Sequence, residues 1–110
     1  MADLLIKSLQ RAIRGDASEI ESFVASFVRI RSENPPGKHY GDCCDFLCER
    51  MRKYGLEPAI HHLTSSGGET SAVQAFVGSE GPVVYFHGHY DVVPASSESQ
   101  FVPEITSILN

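Results

Sequence analysis

Two histidines and an aspartate alternate along one short stretch of the chain, His87-Gly88-His89-Tyr90-Asp91. If the apolar residues before them form a strand, side chains two positions apart share a face, so both imidazoles and the carboxylate converge. Neutral imidazole is a favoured zinc ligand, and a carboxylate beside it is either a second ligand or the group that fixes the ring's tautomer. The alternative is a strand end whose histidines only hydrogen-bond to neighbours. Spacing alone leaves both interpretations open.

The helices that must help to position these residues are predicted in the first half of the chain, from helix-forming composition over residues 3–14 and from an apolar period of about 3.6 beyond them. Predicted helices cover residues 3–14, 18–31 and 42–54. We expect the second helix to open with a capping box of Ser18 and Glu21, and the third with Asp42 as its cap. Gly15 and Gly55 are expected to end the first and third helices.

Beyond Gly55 the apolar period changes to two, which is typical of strands. Predicted strands cover residues 57–64, 71–78 and 82–88. The third is apolar on both faces, which favours a strand buried inside a sheet. Helices followed by strands predict a layered α/β domain of which only the beginning is present, with an irregular tail over 94–110.

Two helical faces are apolar. The second helix carries Ile20, Phe23, Val24, Phe27 and Val28 on one stripe, and the third carries Cys44, Leu47, Cys48 and Met51. Cys44 and Cys48 have a spacing that could hold a metal, but a core position is the favoured interpretation. Three cysteines within six positions are too close together to stabilise a secreted fold by disulfide bonds, and we expect reduced thiols.

Composition excludes several classes of function. The 110 residues have a formal net charge of −5, and residues 56–110 contain no Lys or Arg and six acids. Such a half cannot neutralise phosphates, which argues against nucleic acid, although it suits a cation site or simply a solvated acidic surface. No stretch resembles a signal peptide or a membrane span, so we expect a cytoplasmic protein without membrane partners.

The stretch His89-Tyr90-Asp91-Val92-Val93-Pro94 resembles the first metal motif of the co-catalytic zinc amidohydrolases and peptidases. That family includes acetylornithine deacetylase, succinyl-diaminopimelate desuccinylase, aminoacylase and carboxypeptidase G. Ser32-Glu33-Asn34-Pro35-Pro36-Gly37 is similar to a loop near the start of these enzymes, and the resemblance extends over residues 18–104. It implies the amino-terminal part of a three-layer α/β/α catalytic domain with a mixed sheet.

The resemblance also implies roles for individual residues. His89 would ligate one of two zinc ions, with Co or Mn as other metals for the same site. Asp91 would belong to the catalytic site by holding the His89 ring through its other nitrogen, and His87 would be only a neighbour. The implied substrates of the complete enzyme are N-acyl amino acids or dipeptides, and a homodimer is implied only for the full-length form.

The resemblance has a limit, because Glu98 and Glu104 are the only acids after Asp91, and no histidine follows. Neither glutamate fits the carboxylate that bridges the two metals in the family. We therefore expect an incomplete metallohydrolase catalytic domain over 1–110 that is inactive alone. The alternative is a non-catalytic remnant or a small interaction module that binds metal weakly or not at all.

Overall fold

The computed structural model describes residues 1–65 and 68–94. In chain order the described elements are α1 (Ala2–Gly15), α2 (Ala17–Phe27), α3 (Tyr40–Lys53), β1 (Ala59–Ser65) and β2 (Gly68–Gln74). They confirm a mixed α/β chain at this coarse level. The elements fall into two compact units, one of residues Met1–Arg29 and one that begins at Ile30. No helix in this part of the chain combines the length and the apolar character needed to cross a bilayer.

The first unit contains α1 and α2, which are separated by one residue. The amide of Asp16 donates to the carbonyl of Ala12, and the carbonyl of Asp16 accepts from Ile20, so Asp16 connects both helices through its backbone. Gly15 ends α1 as predicted. The capping box is wrong: α2 begins at Ala17, which places Ser18 inside the helix, and no side chain caps its first turn.

The apolar stripe of α2 is partly exposed. Ile20, Val24 and Val28 are all exposed. Phe23 and Phe27 pack on each other with ring centroids 5.9 Å apart. The helix ends at Phe27, earlier than the predicted residue 31.

In the second unit, α3 supplies the buried core. Cys43, Cys44 and Cys48 are 1–2% exposed and are free thiols. The predicted core positions of Cys44 and Cys48 are therefore confirmed, whereas Leu47 and Met51 are only half-buried. Cys43 is buried although the sequence did not predict it. The helix packs against β2.

Both ends of α3 depend on local backbone geometry. His39 precedes the helix with a left-handed φ of 61°. Its Nδ1 lies 2.9 Å from an Asp42 carboxylate oxygen, so Asp42 contacts a side chain and is not the predicted cap. At the other end the chain leaves the helix through Gly55, whose φ of 76° favours glycine. The predicted stop at Gly55 is confirmed.

β1 and β2 form an antiparallel hairpin with Ala59 opposite Gln74 and His62 opposite Ser71. The ladder starts after Pro58, which has no N–H to donate, and not at residue 57. The Nδ1 atom of His62 lies 3.0 Å from the Ser71 hydroxyl oxygen. Two of the three predicted strands therefore exist, with shifted ends.

The predicted strand over 82–88 is wrong. These residues have no regular structure, and four apolar side chains in it are 71–91% exposed: Val83, Val84, Tyr85 and Phe86. A strand forms only where a neighbour accepts its backbone hydrogen bonds, and among the described residues the one sheet has two strands, β1 and β2. The predicted tail lies, from residue 95 onward, outside the described residues.

Candidate functional site

Two stretches of the second unit that are far apart in sequence lie side by side. Glu33 and Val92 form a parallel β-bridge. The amide of Asn34 donates to the carbonyl of Val92 at 2.8 Å, and the amide of Val92 donates to the carbonyl of Ser32 at 3.2 Å. The Ser32 hydroxyl donates to the carbonyl of Tyr90 at 2.9 Å. Backbone and side-chain hydrogen bonds thus fix what we call the 32–34 and 90–92 segments against each other.

Asp91 lies at the centre of the bridged segments and accepts hydrogen bonds from two side chains. His89 Nδ1 lies 3.0 Å from Asp91 Oδ1 and also 3.0 Å from the Asp91 carbonyl oxygen. Asn34 Nδ2 donates to Asp91 Oδ2 at 3.2 Å. The hydrogen bond from Asn34 and then that from His89 hold the pKa of Asp91 below its usual 3.8. The carboxylate is therefore ionised at neutral pH.

The His89 ring has one nitrogen engaged and the other available to a ligand. The Asp91 carboxylate only accepts, so Nδ1 carries the proton and Nε2 of the neutral ring keeps its lone pair. The His89 side chain is 83% exposed. The predicted hydrogen-bonding contact between His89 and Asp91 is thus present, whereas their roles at a metal remain predictions.

Tyr90 anchors the site to the core. Its ring packs edge-on against Tyr40 with centroids 5.4 Å apart, and its hydroxyl donates to the carbonyl of Ser71. The Cys44 thiol also contacts the Tyr90 hydroxyl. Burial raises the pKa of the Tyr90 hydroxyl and of the Cys44 thiol. Tyr90 thus connects the 90–92 segment with both α3 and β2.

The buried Ser32 makes a second connection to α3. Its side chain is 3% exposed and interacts with the Cys43 thiol, whose pKa burial raises. The two cysteines therefore pack beneath the site as protonated, unreactive thiols. Their contacts support the core interpretation made for Cys44.

His87 does not join the other two predicted residues. Its ring stacks with that of Tyr85, with centroids 6.1 Å apart, and it precedes the bridged segment. The expected strand face that would have carried His87, His89 and Asp91 together does not form. His89 and Asp91 meet because they are two residues apart on a stretch that the 32–34 segment holds in place.

A half-open depression of about 340 Å³ lies next to the bridge between Glu33 and Val92, on the side of the proline-rich turn formed by Pro35 and Pro36. Its lining includes Arg31, Glu33, Lys38, His39 and Pro94. The Arg31 guanidinium pairs with Glu33 at 3.0 Å, and Lys38 is the second cationic side chain of the lining.

The described residues fit one ligand of a zinc site rather than a whole one. His89 presents Nε2 with Nδ1 hydrogen-bonded to a carboxylate, the usual arrangement of a metal-bound histidine. Within residues 1–65 and 68–94, however, no group of three His, Cys, Asp or Glu side chains is placed to hold a metal. A zinc ion usually takes three or four protein ligands. The described residues therefore supply one zinc ligand and not a complete site.

Comparison of the chain with protein-family models, with curated proteins and with solved structures finds no match. The resemblance to the zinc amidohydrolases and peptidases therefore depends on the motifs alone. Within the loop of residues 32–37, Ser32 and Asn34 are two contact residues that sequence reasoning left without a role. Their position beside the proline-rich turn was visible, but their contacts with residues 57 and 58 positions away were not.

Proposed function

We propose that this chain carries the amino-terminal metal-binding segment of a zinc-dependent hydrolase that cleaves amide bonds of N-acyl amino acids or dipeptides. The observation that supports it is the hydrogen bond between His89 Nδ1 and the Asp91 carboxylate, which leaves Nε2 of an exposed ring available to a metal. In this proposal the described elements belong to a three-layer α/β/α catalytic domain with a mixed sheet. In this proposal a complete site takes further ligands that the described residues do not provide.

The contacts of the site residues support the roles proposed for them. His89 supplies one bond to zinc, or to Co or Mn, and Asp91 orients the ring and increases its basicity. When bound, two metal ions would acidify a water molecule and stabilise the oxyanion of amide hydrolysis. The depression next to Lys38 suits the carboxylate of an N-acyl amino acid.

Titration of zinc into the chain, followed on the histidine ring signals by NMR, tests the proposal. We expect weak binding, with the largest shifts at His89. His89→Ala should abolish this binding, and Asp91→Ala should weaken it roughly tenfold, the usual cost of losing the partner of a ligating histidine.

The matched control is His87→Ala, which removes an exposed imidazole from the same stretch. We expect it to leave the zinc-dependent shifts of His89 unchanged. Equal losses in His87→Ala and His89→Ala would contradict the assignment of the ligand to His89.

The second candidate is a non-catalytic interaction module, and the exposed apolar residues 83–86 favour it. Soluble proteins seldom leave several large apolar side chains together in water without a partner. A zinc titration in which wild type and His89→Ala behave identically, with no shift at His89, would favour this module over the hydrolase segment.

A further inference from the structure

The Asp91 carboxylate uses its two oxygens for two different donors. Oδ1 accepts from His89 Nδ1 and Oδ2 accepts from Asn34 Nδ2. A carboxylate held at one oxygen only can rotate about its last bond, whereas donors at both oxygens fix its plane. The side-chain amide of Asn34 therefore fixes the plane in which Oδ1 faces the His89 ring, beside the Asp91 carbonyl oxygen that also lies 3.0 Å from Nδ1.

We propose that Asn34 is a positioning residue which, by fixing the Asp91 carboxylate, keeps neutral His89 in the tautomer protonated on Nδ1. The inference deepens the proposed function, on which its significance rests, because this tautomer leaves Nε2 as the nitrogen that binds a metal. The side chain of Asn34 donates to Asp91 and is proposed to act on His89 through that carboxylate.

The backbone around Asn34 suits this role. Its amide donates to the carbonyl of Val92, the residue after Asp91, so main chain and side chain of Asn34 contact consecutive residues of one segment. Glu33, the neighbouring residue in the same bridge, directs its carboxylate to Arg31 instead. The two adjacent positions thus share the backbone bridge but differ in whether the side chain reaches Asp91.

The alternative is that Asn34 only stabilises the loop. Free neutral histidine favours protonation on Nε2, so a population shifted to Nδ1 needs an acceptor held in place. The tautomer of His89 therefore distinguishes the two roles. If Asn34 gave only structural support, its replacement would lower the stability of the fold without changing the tautomer of His89 in the folded form.

The experiment measures ring ¹⁵N chemical shifts of the folded chain at about pH 8.5, where an imidazole is neutral. The His89 signals are identified by their loss in His89→Gln. In wild type we expect Nδ1 protonation to dominate at His89. Asn34→Leu removes the donor at similar size, and Asn34→Asp replaces it with an acceptor of the same shape.

We expect Asn34→Leu to shift the tautomer ratio of His89 roughly two- to fivefold toward Nε2 protonation, as the loss of one modest hydrogen bond would. Asn34→Asp should shift it further, because two carboxylates repel. Glu33→Gln, the matched control on the same bridge, should leave the ratio unchanged. His62, bonded to Ser71 in the hairpin, serves as the internal reference for an intact fold.

Unchanged His89 signals in both Asn34 variants overturn the inference, and so does a wild-type ring protonated on Nε2. The zinc titration reads a different property. A tautomer shift without zinc binding at His89 supports this inference and removes the proposed function, whereas zinc binding without a tautomer shift does the reverse.

Discussion

Two stretches of the chain that lie close in sequence, residues 83–86 and residues 90–91, differ in how far their side chains are exposed. Residues 83–86 are all apolar, yet their side chains are 71–91% exposed. A few positions later, Tyr90 and Asp91 are more polar and yet partly buried, because the 32–34 segment and the hairpin bond to them. Hydrophobicity makes burial favourable, but a stretch of chain is buried only where another supplies contacts and backbone hydrogen bonds.

The sharpest test of this contrast compares two tyrosines five residues apart. Tyr90→Ala should lower the free energy of unfolding by about 2–3 kcal/mol, because it removes a ring packed on Tyr40 and a hydroxyl bonded to Ser71. Tyr85→Ala should change it by less than about 0.5 kcal/mol, since that ring is 71% exposed. Urea denaturation measures both. Equal losses would mean that residues 83–86 are packed after all.

The reactivity of cysteine thiols gives a second test of the difference between the exposed residues 83–86 and the buried core. Cys43 and Cys44 are buried, and burial raises the pKa of both thiols, so little reactive thiolate is exposed. We expect iodoacetamide to modify them at least about tenfold more slowly than a thiol introduced by Phe86→Cys, as read by peptide mass spectrometry. Full unfolding in denaturant should remove the difference. Rapid native labelling of Cys44 would show that the core beneath the site opens readily.

The smallest expected effect is a pH dependence centred on Asp91. Because hydrogen bonds from Asn34 and His89 lower its pKa in the folded state, the folded chain binds this proton more weakly than the unfolded chain. The stabilisation is present above the usual value of 3.8 and is lost as pH falls through the lower folded pKa. The stability difference between wild type and Asp91→Asn should therefore shrink from about pH 5 to about pH 2. A constant difference would show that the ionised carboxylate contributes nothing.

Contacts between near neighbours could be predicted from the sequence. Helix-forming composition predicts α1, and helical periods predict α2 and α3, each to within a few residues. Gly55 predicts the end of α3. These features depend on adjacent positions. The contact between His89 and Asp91 belongs to the same class, since the residues are two apart. The contact forms without the predicted strand.

The remaining features depend on which segments meet, and no local pattern contains that information. Nothing about Asn34 indicates that its amide reaches Asp91, 57 residues later. The apolar run of 83–86 has the composition of a buried strand, but burial would have required neighbours that the described sheet of two strands does not provide. Ser18 and Asp42 are good capping residues, yet in both helices the first turn forms one or two residues before the predicted start.

The parallel bridge between Glu33 and Val92 has a consequence for the order of folding. The bridge closes a loop that contains α3 and the hairpin. The entropic cost of closing this loop is lower once α3 and the hairpin have formed, because fewer residues of the loop are then flexible. We therefore expect Asn34 and Asp91 to meet late, after elements that fold from nearby contacts. During synthesis the 32–34 segment is made first, and it cannot form its hydrogen bonds to the 90–92 segment until residue 92 has been added. Proper orientation of the His89 ring is then among the last properties that the folding chain acquires.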